Sequence, residues 1–303
     1  MTEMIAAPAQ AKQIPTSPAR AVEISFLIPM YNRLDLTREC LRSLEATVAL
    51  SRHEVILIND ASTDGTAQFL SALSAPYRVV HNPQRSSYAV SMNRGVAITH
   101  GEMLCLLNND LVFRPGWLPP MLRAFEKFKD AGVVGNVQIS PRTGRYDHLG
   151  VVFGPNVSPV HFGTGFAFRP FRGFTRWQAV TAACCLVKKS DFLGAGGFDE
   201  KFINGFEDVD LCLKLGQKGL RHYVANGSII EHHVSASEGR ARHEMENIRL
   251  FQERWAAQMP SIVTPRERRL FAANYLLRCV CKRSHFRAKK AAKALVTLLK
   301  CGH

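Results

Sequence analysis

Five consecutive apolar residues, Met103-Leu104-Cys105-Leu106-Leu107, run directly into Asn108-Asn109-Asp110. A short run that is apolar on both faces is the pattern of a strand covered on both sides, in a parallel or mixed sheet with helical layers. Ligands of open α/β sheets bind outside the carboxyl ends of such strands, so Asp110 is placed at the mouth of a site. An oxygen donor there suits Mg²⁺ or Mn²⁺ held together with substrate phosphates. Asn-Asn-Asp also suits an ordinary turn, and the run alone does not separate the two readings.

The flanking sequence repeats the pattern. Ile24–Ile28 reads as a strand closed by Pro29, Leu34–Leu44 as a helix, Glu54–Ile58 as a second strand ending in Asn59-Asp60. Ala61-Ser62-Thr63-Asp64-Gly65 is a turn that opens a helix to about Leu73, with Ser62, Thr63 or Asp64 as cap. Arg78–His81 gives a third strand, Tyr88–Thr99 a helix and Met103–Leu107 the fourth strand. This alternation predicts a parallel-type sheet with helices on its faces. No GxGxxG follows the first strand and no GxxxxGK[ST] occurs, which argues against a dinucleotide dehydrogenase and a P-loop enzyme.

Beyond residue 130 the pattern is less regular. Val133–Ile139 and Val151–Phe153 read as strands, His161–Phe174 as a mobile loop rich in Gly, Phe and Arg, and Ala179–Val187 as a strand. Gly194–Asp199 is a Gly-rich loop, and Phe206–Leu211 opens a helix to about Lys218. Glu207, Asp208 and Asp210 fall in its first turn, where the helix dipole favours acids, although three in four positions exceed what one dipole needs. Trp177 and the Phe162–Phe174 cluster either stack on a sugar or pack in the core.

With 46% hydrophobic and 21% charged residues the 303-residue chain is globular. No run approaches the roughly 18 apolar residues of a membrane span. Residues 1–21, with Pro8, Pro15 and Pro18, read as a flexible lead-in without a signal-peptide core. The eight cysteines show no zinc or redox spacing, which points to a reducing, cytoplasmic compartment. Of the net charge of +14, residues 266–303 carry +10 with Glu267 as their one acid. There Leu276, Leu277, Val280, Leu295, Leu298 and Leu299 alternate with Arg278, Lys282, Arg283, Arg287, Lys289, Lys290 and Lys293. Such a basic amphipathic helical tail reads as a membrane-surface or nucleic-acid contact, or as a solvated helix packed on the domain.

Taken in order, the motifs resemble the family 2 glycosyltransferases over about residues 22–255. Ile28-Pro29-Met30-Tyr31-Asn32-Arg33 is similar to the family's opening strand and nucleotide-side loop, and Asn59–Gly65 to its D-D-x-S-x-D-G turn. Asn93-Arg94-Gly95 matches the helix before the metal strand, and Asn108-Asn109-Asp110 stands in place of D-x-D. Gly197-Phe198-Asp199-Glu200 and Glu207-Asp208-Val209-Asp210-Leu211 resemble the acceptor-side G-F-D-E and E-D-x-D-L pair, and Glu231–Ser237 a late H-x-x-x-x-S segment.

The resemblance implies a GT-A-like fold, an open twisted mixed sheet with helices on both faces, here followed by the basic tail. It divides the chain into a lead-in (1–21), a nucleotide-binding half (22–130), an acceptor-binding and catalytic half (131–258) and a helical tail (259–303). It implies an inverting transfer from a nucleoside-diphosphate sugar to a glycan or lipid-linked acceptor, as in polysaccharide and cell-envelope assembly. The donor would rest on Pro29, Tyr31, Asn32, Asp60, Asn93 and Asn109. With Asn108 in place of the first acid, the divalent cation (Mn²⁺ or Mg²⁺) falls to Asp110 and to His232 or its neighbour His233, the spacing to Ser237 favouring His232. Asp208 would be the base, with Glu207 beside it, and Arg85, Arg94 or Lys188 could add positive charge. A tail lying on anionic membrane would make the enzyme peripheral at the inner face. A nucleic-acid binder is the competing reading, disfavoured because the basicity is confined to the tail and no nucleic-acid motif occurs. A third reading is a family member that binds the donor without turnover.

Overall fold

The computed structural model describes residues 22–154, 158–234, 243–281, 284 and 286–300. The lead-in 1–21, the Ser235-Ala236-Ser237 step and Lys282 and Arg283 of the tail lie outside the described residues.

The first half follows the expected alternation: β1 (Ile24–Met30), α1 (Leu34–Thr47), β2 (His53–Asn59), α2 (Thr66–Ser71), β3 (Tyr77–His81), α3 (Tyr88–Ala97) and β4 (Met103–Leu107). The four strands are parallel, in the order β3-β2-β1-β4. Alternate side chains serve the two faces. Phe26, Ile28, Val55, Leu57, Cys105 and Leu107 pack with Cys40, Leu41 and Leu44 of α1 on one face. Leu27, Ile56, Ile58, Leu104 and Leu106 pack with Ala89, Met92 and Val96 of α3 on the other. A Cβ at Gly95 would meet Ile58 at 2.9 Å, so the glycine of Asn93-Arg94-Gly95 lets α3 lie directly on the sheet.

The strand expected to stop before Pro29 continues to Met30. Pairing with β4 ends at Leu27, so nothing on that side asks for the N–H that proline lacks.

The second half is β5 (Leu111–Phe113), α4 (Leu118–Lys127), β6 (Ala131–Ile139), β7 (Tyr146–His148), β8 (Val151–Phe153), β9 (Pro159–His161), β10 (Phe174–Trp177), β11 (Cys184–Lys188), α5 (Lys189–Gly194), α6 (Glu207–Gln217) and β12 (Arg221–His232). These strands extend the sheet as β10-β12-β6-β11 beyond β4, with β11 and β10 antiparallel to their neighbours, and β8–β9 form a separate hairpin. The result is the mixed, GT-A-like sheet.

Two expectations fail here. Ala179–Val187 is a strand only from Cys184, because the backbone of Ala182 and Ala183 is spent on partners outside the sheet: Asp208, the Tyr88 hydroxyl and Asn108. The stretch His161–Phe174, read as a mobile loop, is packed instead. Phe162 and Phe166 are buried, and Phe162, Phe171 and Trp177 meet with ring centroids 5.2–5.7 Å apart. That is the core alternative for Trp177 and most of this cluster; Phe168 remains exposed.

The chain ends in α7 (Glu244–Trp255), α8 (Met259–Ile262), α9 (Pro265–Cys281) and α10 (Ala288–Lys300). α9 is tied to the body: Glu267 accepts from the Phe153 N–H at 2.9 Å, and Asn274 accepts from the Gly163 N–H at 3.0 Å. α10 covers α9 with Ala291 and Ala294. No helix among the described residues is long and apolar enough to cross a membrane. The seven cysteines described are free thiols, all but Cys281 buried.

Candidate active site

The carboxyl ends of β1 to β4 share one edge, from which Tyr31-Asn32, Asp60, Asn82 and Asn108-Asn109-Asp110 emerge. Asn32 takes the left-handed conformation (φ 54°), which asparagine tolerates, and so turns the chain back over the Ala61–Gly65 turn. Its Oδ1 accepts from the Thr63 N–H at 2.7 Å, and its own N–H donates to Ser62 Oγ at 2.8 Å. Pro29 offers shape and no polar group. Arg85 lies over the Tyr31 ring at 4.0 Å, a cation held at the site edge by the ring's negative face.

Asp60 is 7% exposed and saturated by neighbours. Its carboxylate accepts from Asn82 Nδ2 (2.7 Å), Ser86 N (2.9 Å), Ser86 Oγ (2.7 Å) and Ser91 Oγ (3.2 Å). Arg94 donates to Asn82 Oδ1 at 2.8 Å, so its charge reaches Asp60 through an amide. Asn82, Ser86 and Ser91 were not anticipated. The available signal was Asn82, another polar residue directly after a strand.

Asn93 does not join this edge. Its amide donates to Phe198 O and accepts from Phe198 N, at 2.9 and 3.0 Å, stapling α3 to the Gly197–Glu200 loop. Asn109 donates to the buried Thr37 Oγ1 at 3.0 Å. Lys188 pairs with Met103, at the amino end of β4 and away from Asp110, so it drops out as a source of charge for the site.

Asp110 and His232 come together although 122 positions separate them. β12 returns antiparallel to β5 with His232 opposite Leu111, which sets His232 Nε2 3.2 Å from Asp110 Oδ1, the two side chains only 12% and 8% exposed. His232 Nδ1 lies 2.9 Å from Gln138 Oε1 of β6. With Oε1 as acceptor, Nδ1 carries a proton, and in the neutral imidazole Nε2 then turns its lone pair toward the carboxylate. His233 instead lies 3.4 Å from Glu39, so only His232 faces Asp110. Gln138 was also not anticipated; its signal was an amide inside an otherwise apolar strand. Among the described residues no group of three His, Cys, Asp or Glu side chains is arranged to hold a metal.

The three acids of α6 have three different tasks. Glu207 accepts from the Gly205 N–H at 2.6 Å and closes the turn before the helix. Asp210 is fully buried, held by Arg254 at 2.8 Å, the Trp255 indole N–H at 3.0 Å and Lys214 at 2.8 Å. Arg254 also grips Asp199, and the carboxylates beside it raise its already high pKa against the opposing effect of burial. Asp208 is left partly exposed, accepting only from the Ala182 and Val209 N–H groups at 3.1 and 2.8 Å among the bonds recorded for it. The turn presenting it is strained: Asn204 and Phe206 have φ of 53° and 75°. Such backbone costs on the order of 1–3 kcal/mol and persists only where surroundings enforce it. Here Asn204 Oδ1 accepts from the Tyr88 N–H at 2.8 Å, and Asn247 binds Ile203 through both its amide groups.

One stretch of backbone joins the two centres. Ala182 N–H donates to Asp208, and Ala183 O accepts from Asn108 N–H at 2.8 Å. The end of the β4 strand and the first turn of α6 are thereby fixed to consecutive residues.

Comparison with known proteins accords with this geometry. Residues 25–192 match the sequence model described as Glycosyl transferase family 2. The chain is 31% identical over 233 residues to the O-antigen biosynthesis protein RfbC of Myxococcus xanthus, covering 71% of this chain and 18% of that protein. It is 28% identical over 213 residues to the N-acetylglucosaminyl-diphospho-decaprenol L-rhamnosyltransferase of Mycobacterium tuberculosis, covering 61% of this chain and 68% of that one. A crystal structure of GalNAc-T7 with UDP, GalNAc and Mn²⁺ superposes with a TM-score of 0.63 at 13% identity, covering 82% of this chain and 51% of that chain. The chain spans only 27% and 18% of the length of two of the curated relatives it matches. With more than half its residues matched, the chain belongs to glycosyl transferase family 2.

Proposed function

We propose that this family 2 member transfers a sugar from a nucleoside-diphosphate sugar to a hydroxyl of a glycan or lipid-linked acceptor, in one inverting displacement. The observation that carries the reading is the near-buried meeting of Asp110 and His232 just beyond Asn108, whose N–H bonds the 182–183 backbone that also holds Asp208.

The two residues fit a divalent cation. With the imidazole neutral, a carboxylate oxygen and an imidazole lone pair face each other at 3.2 Å, and both can donate to a cation between or beside them. Two protein ligands are also what Mn²⁺ or Mg²⁺ uses when substrate phosphates complete the set. Bound there, the cation would take up charge on the departing diphosphate.

The chain's own groups supply the rest. Tyr31, with Arg85 stacked on it, and the Asn32 turn form the wall nearest the nucleotide, and Asp60 sets that wall's shape through Asn82, Ser86 and Ser91. Asp208, the least engaged of the three α6 acids, takes the proton of the acceptor hydroxyl as that oxygen attacks the anomeric carbon opposite the leaving diphosphate. A single displacement on that face inverts the anomeric centre. Asp210 and Glu207 hold the turn.

Titration calorimetry with a nucleoside diphosphate, with and without Mn²⁺, tests the reading. Binding that strengthens with Mn²⁺ and is lost in Asp110→Ala supports it. Equal heats in both titrations remove the metal assignment, and absent nucleotide binding alongside tight, salt-sensitive DNA binding removes the glycosyltransferase reading.

A further inference from the structure

The cations expected near the strand ends are engaged elsewhere: Arg85 lies on Tyr31, Arg94 bonds Asn82, and Lys188 sits at the far end of β4. Arg33 stands closer to the carboxylate that matters. It is the N-cap residue of α1, and Thr37 and Cys40, four and seven residues on, share its helical face. That face is fixed to the end of β4. The Thr37 N–H donates to the Arg33 carbonyl at 3.1 Å, Thr37 Oγ1 accepts from Asn109 Nδ2 at 3.0 Å, and the Cys40 thiol lies 3.6 Å from Asn108 O. Arg33 is thus one helical turn from the residue that holds Asn109, the neighbour of Asp110.

The backbone at this position is left-handed, φ 57° and ψ 51°, directly after Asn32 at φ 54°. Asparagine tolerates that conformation and arginine does not favour it. The bonds recorded across the turn are made by Asn32, Ser62 and Asp64, so its shape asks for a residue that accepts positive φ, glycine best of all, and not for a guanidinium. The side chain itself is 55% exposed. Its Nε and Nη2 donate to Asp35 at 3.2 and 3.1 Å, which leaves the edge of the fork that carries Nη1 for a second anion. The Asp35 bond raises the Arg33 pKa against the effect of burial, and the charges of Asp35 and Asp110 raise it further, so the guanidinium feels the Asp110 carboxylate.

We propose that Arg33 is a further catalytic residue, which binds the terminal phosphate of the donor diphosphate and takes up the charge released when the sugar leaves. The proposal rests on the donor reading above. As the bond between the anomeric carbon and the diphosphate oxygen breaks, its electron pair stays on the diphosphate. The acceptor oxygen forms the new bond, and its proton goes to Asp208. The diphosphate of the intact donor is balanced by a divalent cation at Asp110, and the charge added on departure falls to a fixed cation alongside. Arginine suits that place because its planar fork holds Asp35 with one edge and a phosphate with the other. The left-handed backbone is then strain kept at a functional position, where a guanidinium stands in place of the easier glycine.

Substitution by glycine separates the phosphate contact from the shape of the turn. The full chain is titrated in a calorimeter with UDP, GDP and dTDP and with the matching monophosphates, each with and without Mn²⁺. Arg33→Gly should bind the diphosphate that wild type takes about ten- to a hundredfold more weakly in both conditions, the loss expected for one hydrogen-bonded charge pair. The loss for the monophosphate of the same base should be smaller. The melting temperature should stay at or near that of wild type, because glycine adopts φ 57° without strain. Arg33→Lys, which keeps the charge without the fork, should recover part of the affinity. Arg33→Asn, another residue that accepts this φ, serves if the glycine variant is destabilised. Diphosphate affinity within twofold of wild type in the glycine or asparagine variant overturns the proposal while leaving the donor reading in place. Equal losses for diphosphate and monophosphate also overturn it, since turn shape and not a contact to the terminal phosphate would have been lost. A wild-type chain that binds none of the three diphosphates removes the donor reading and this inference with it.

Discussion

The turns around Asn32 and Asp60, in the half proposed to bind the donor, and the half proposed to bind the acceptor hold their polar groups over very different chain distances. Around Asn32 and Asp60 every recorded side-chain partner lies within 32 residues, so the strand-end turns close almost as they are made. In the acceptor half, Asp210 is held from 44 residues away, His232 from 94, and the β8 strand is bonded to Glu267 from 114. Even buried glutamates differ. Burial works against the Glu54 charge, but hydrogen bonds from the His100 N–H, Ser25 and Arg78 outweigh it and bring its pKa down to about 2. At Glu267 burial wins over the Phe153 N–H and pushes the pKa up to about 7. The Asn32 and Asp60 turns are closed locally, whereas the presentation of Asp208 depends on α7 being docked.

The largest effect should come from the single group that the acceptor half presents. Asp208→Asn is expected to lower turnover by about 10²–10⁴-fold while donor affinity by calorimetry stays within a few-fold. Near-normal turnover would mean that the proton leaves by another route and that the long-range scaffold serves some other purpose.

Cutting the scaffold itself should cost stability. Arg254→Met leaves Asp199 without the Arg254 cation and Asp210 with Lys214 and the Trp255 indole N–H, at a cost of about 3 kcal/mol in denaturant unfolding. Arg94→Met, which removes one neutral-amide partner in the donor half, should cost about 1 kcal/mol. Equal losses in the two variants would erase the contrast between the halves.

The two glutamates should give opposite pH slopes. Because the folded-state pKa of Glu267 is raised, its contribution is fully present below the unfolded value near 4.5 and is lost as pH rises through about 7. The span is at most about 3 kcal/mol. Glu267→Gln keeps an acceptor for the Phe153 N–H and should remove that slope, leaving the variant more stable than wild type at pH 8. Glu54 is depressed, so its contribution is present above about 4.5 and fades as pH falls through about 2. Thermal melts of Glu54→Gln and Glu267→Gln between pH 2 and 8 check the signs.

The most local contact should give a comparably small change. Asn32→Ala removes the acceptor for the Thr63 and Asp64 N–H groups and puts a Cβ-bearing residue without a polar tip at φ 54°, for a loss of about 1–2 kcal/mol. A loss above that of Arg254→Met would show the donor turn to be the more critical scaffold.

The sequence by itself determined the parallel strands, their polar carboxyl ends and the acid-rich start of α6. Those features depend on apolar runs, turn chemistry and helix-end charge within a few residues of one another, and the places of Asp60, Asp110 and the Glu207-Asp208-Asp210 cluster were legible for that reason, while the choice of Asp208 among the three acids came from the family resemblance. It did not show that β12 exists, that Gln138 of β6 would orient His232, or that Arg254 would take Asp210 out of contention and leave Asp208 partly exposed. It also gave a packed aromatic cluster the look of a mobile loop, since Gly and Arg between phenylalanines conceal which rings meet. Each of these was decided by tertiary structure alone, because it depends on which strands are neighbours in the sheet. That order, β10-β12-β6-β11-β4, is set by burial across the whole core and leaves no periodicity in the chain.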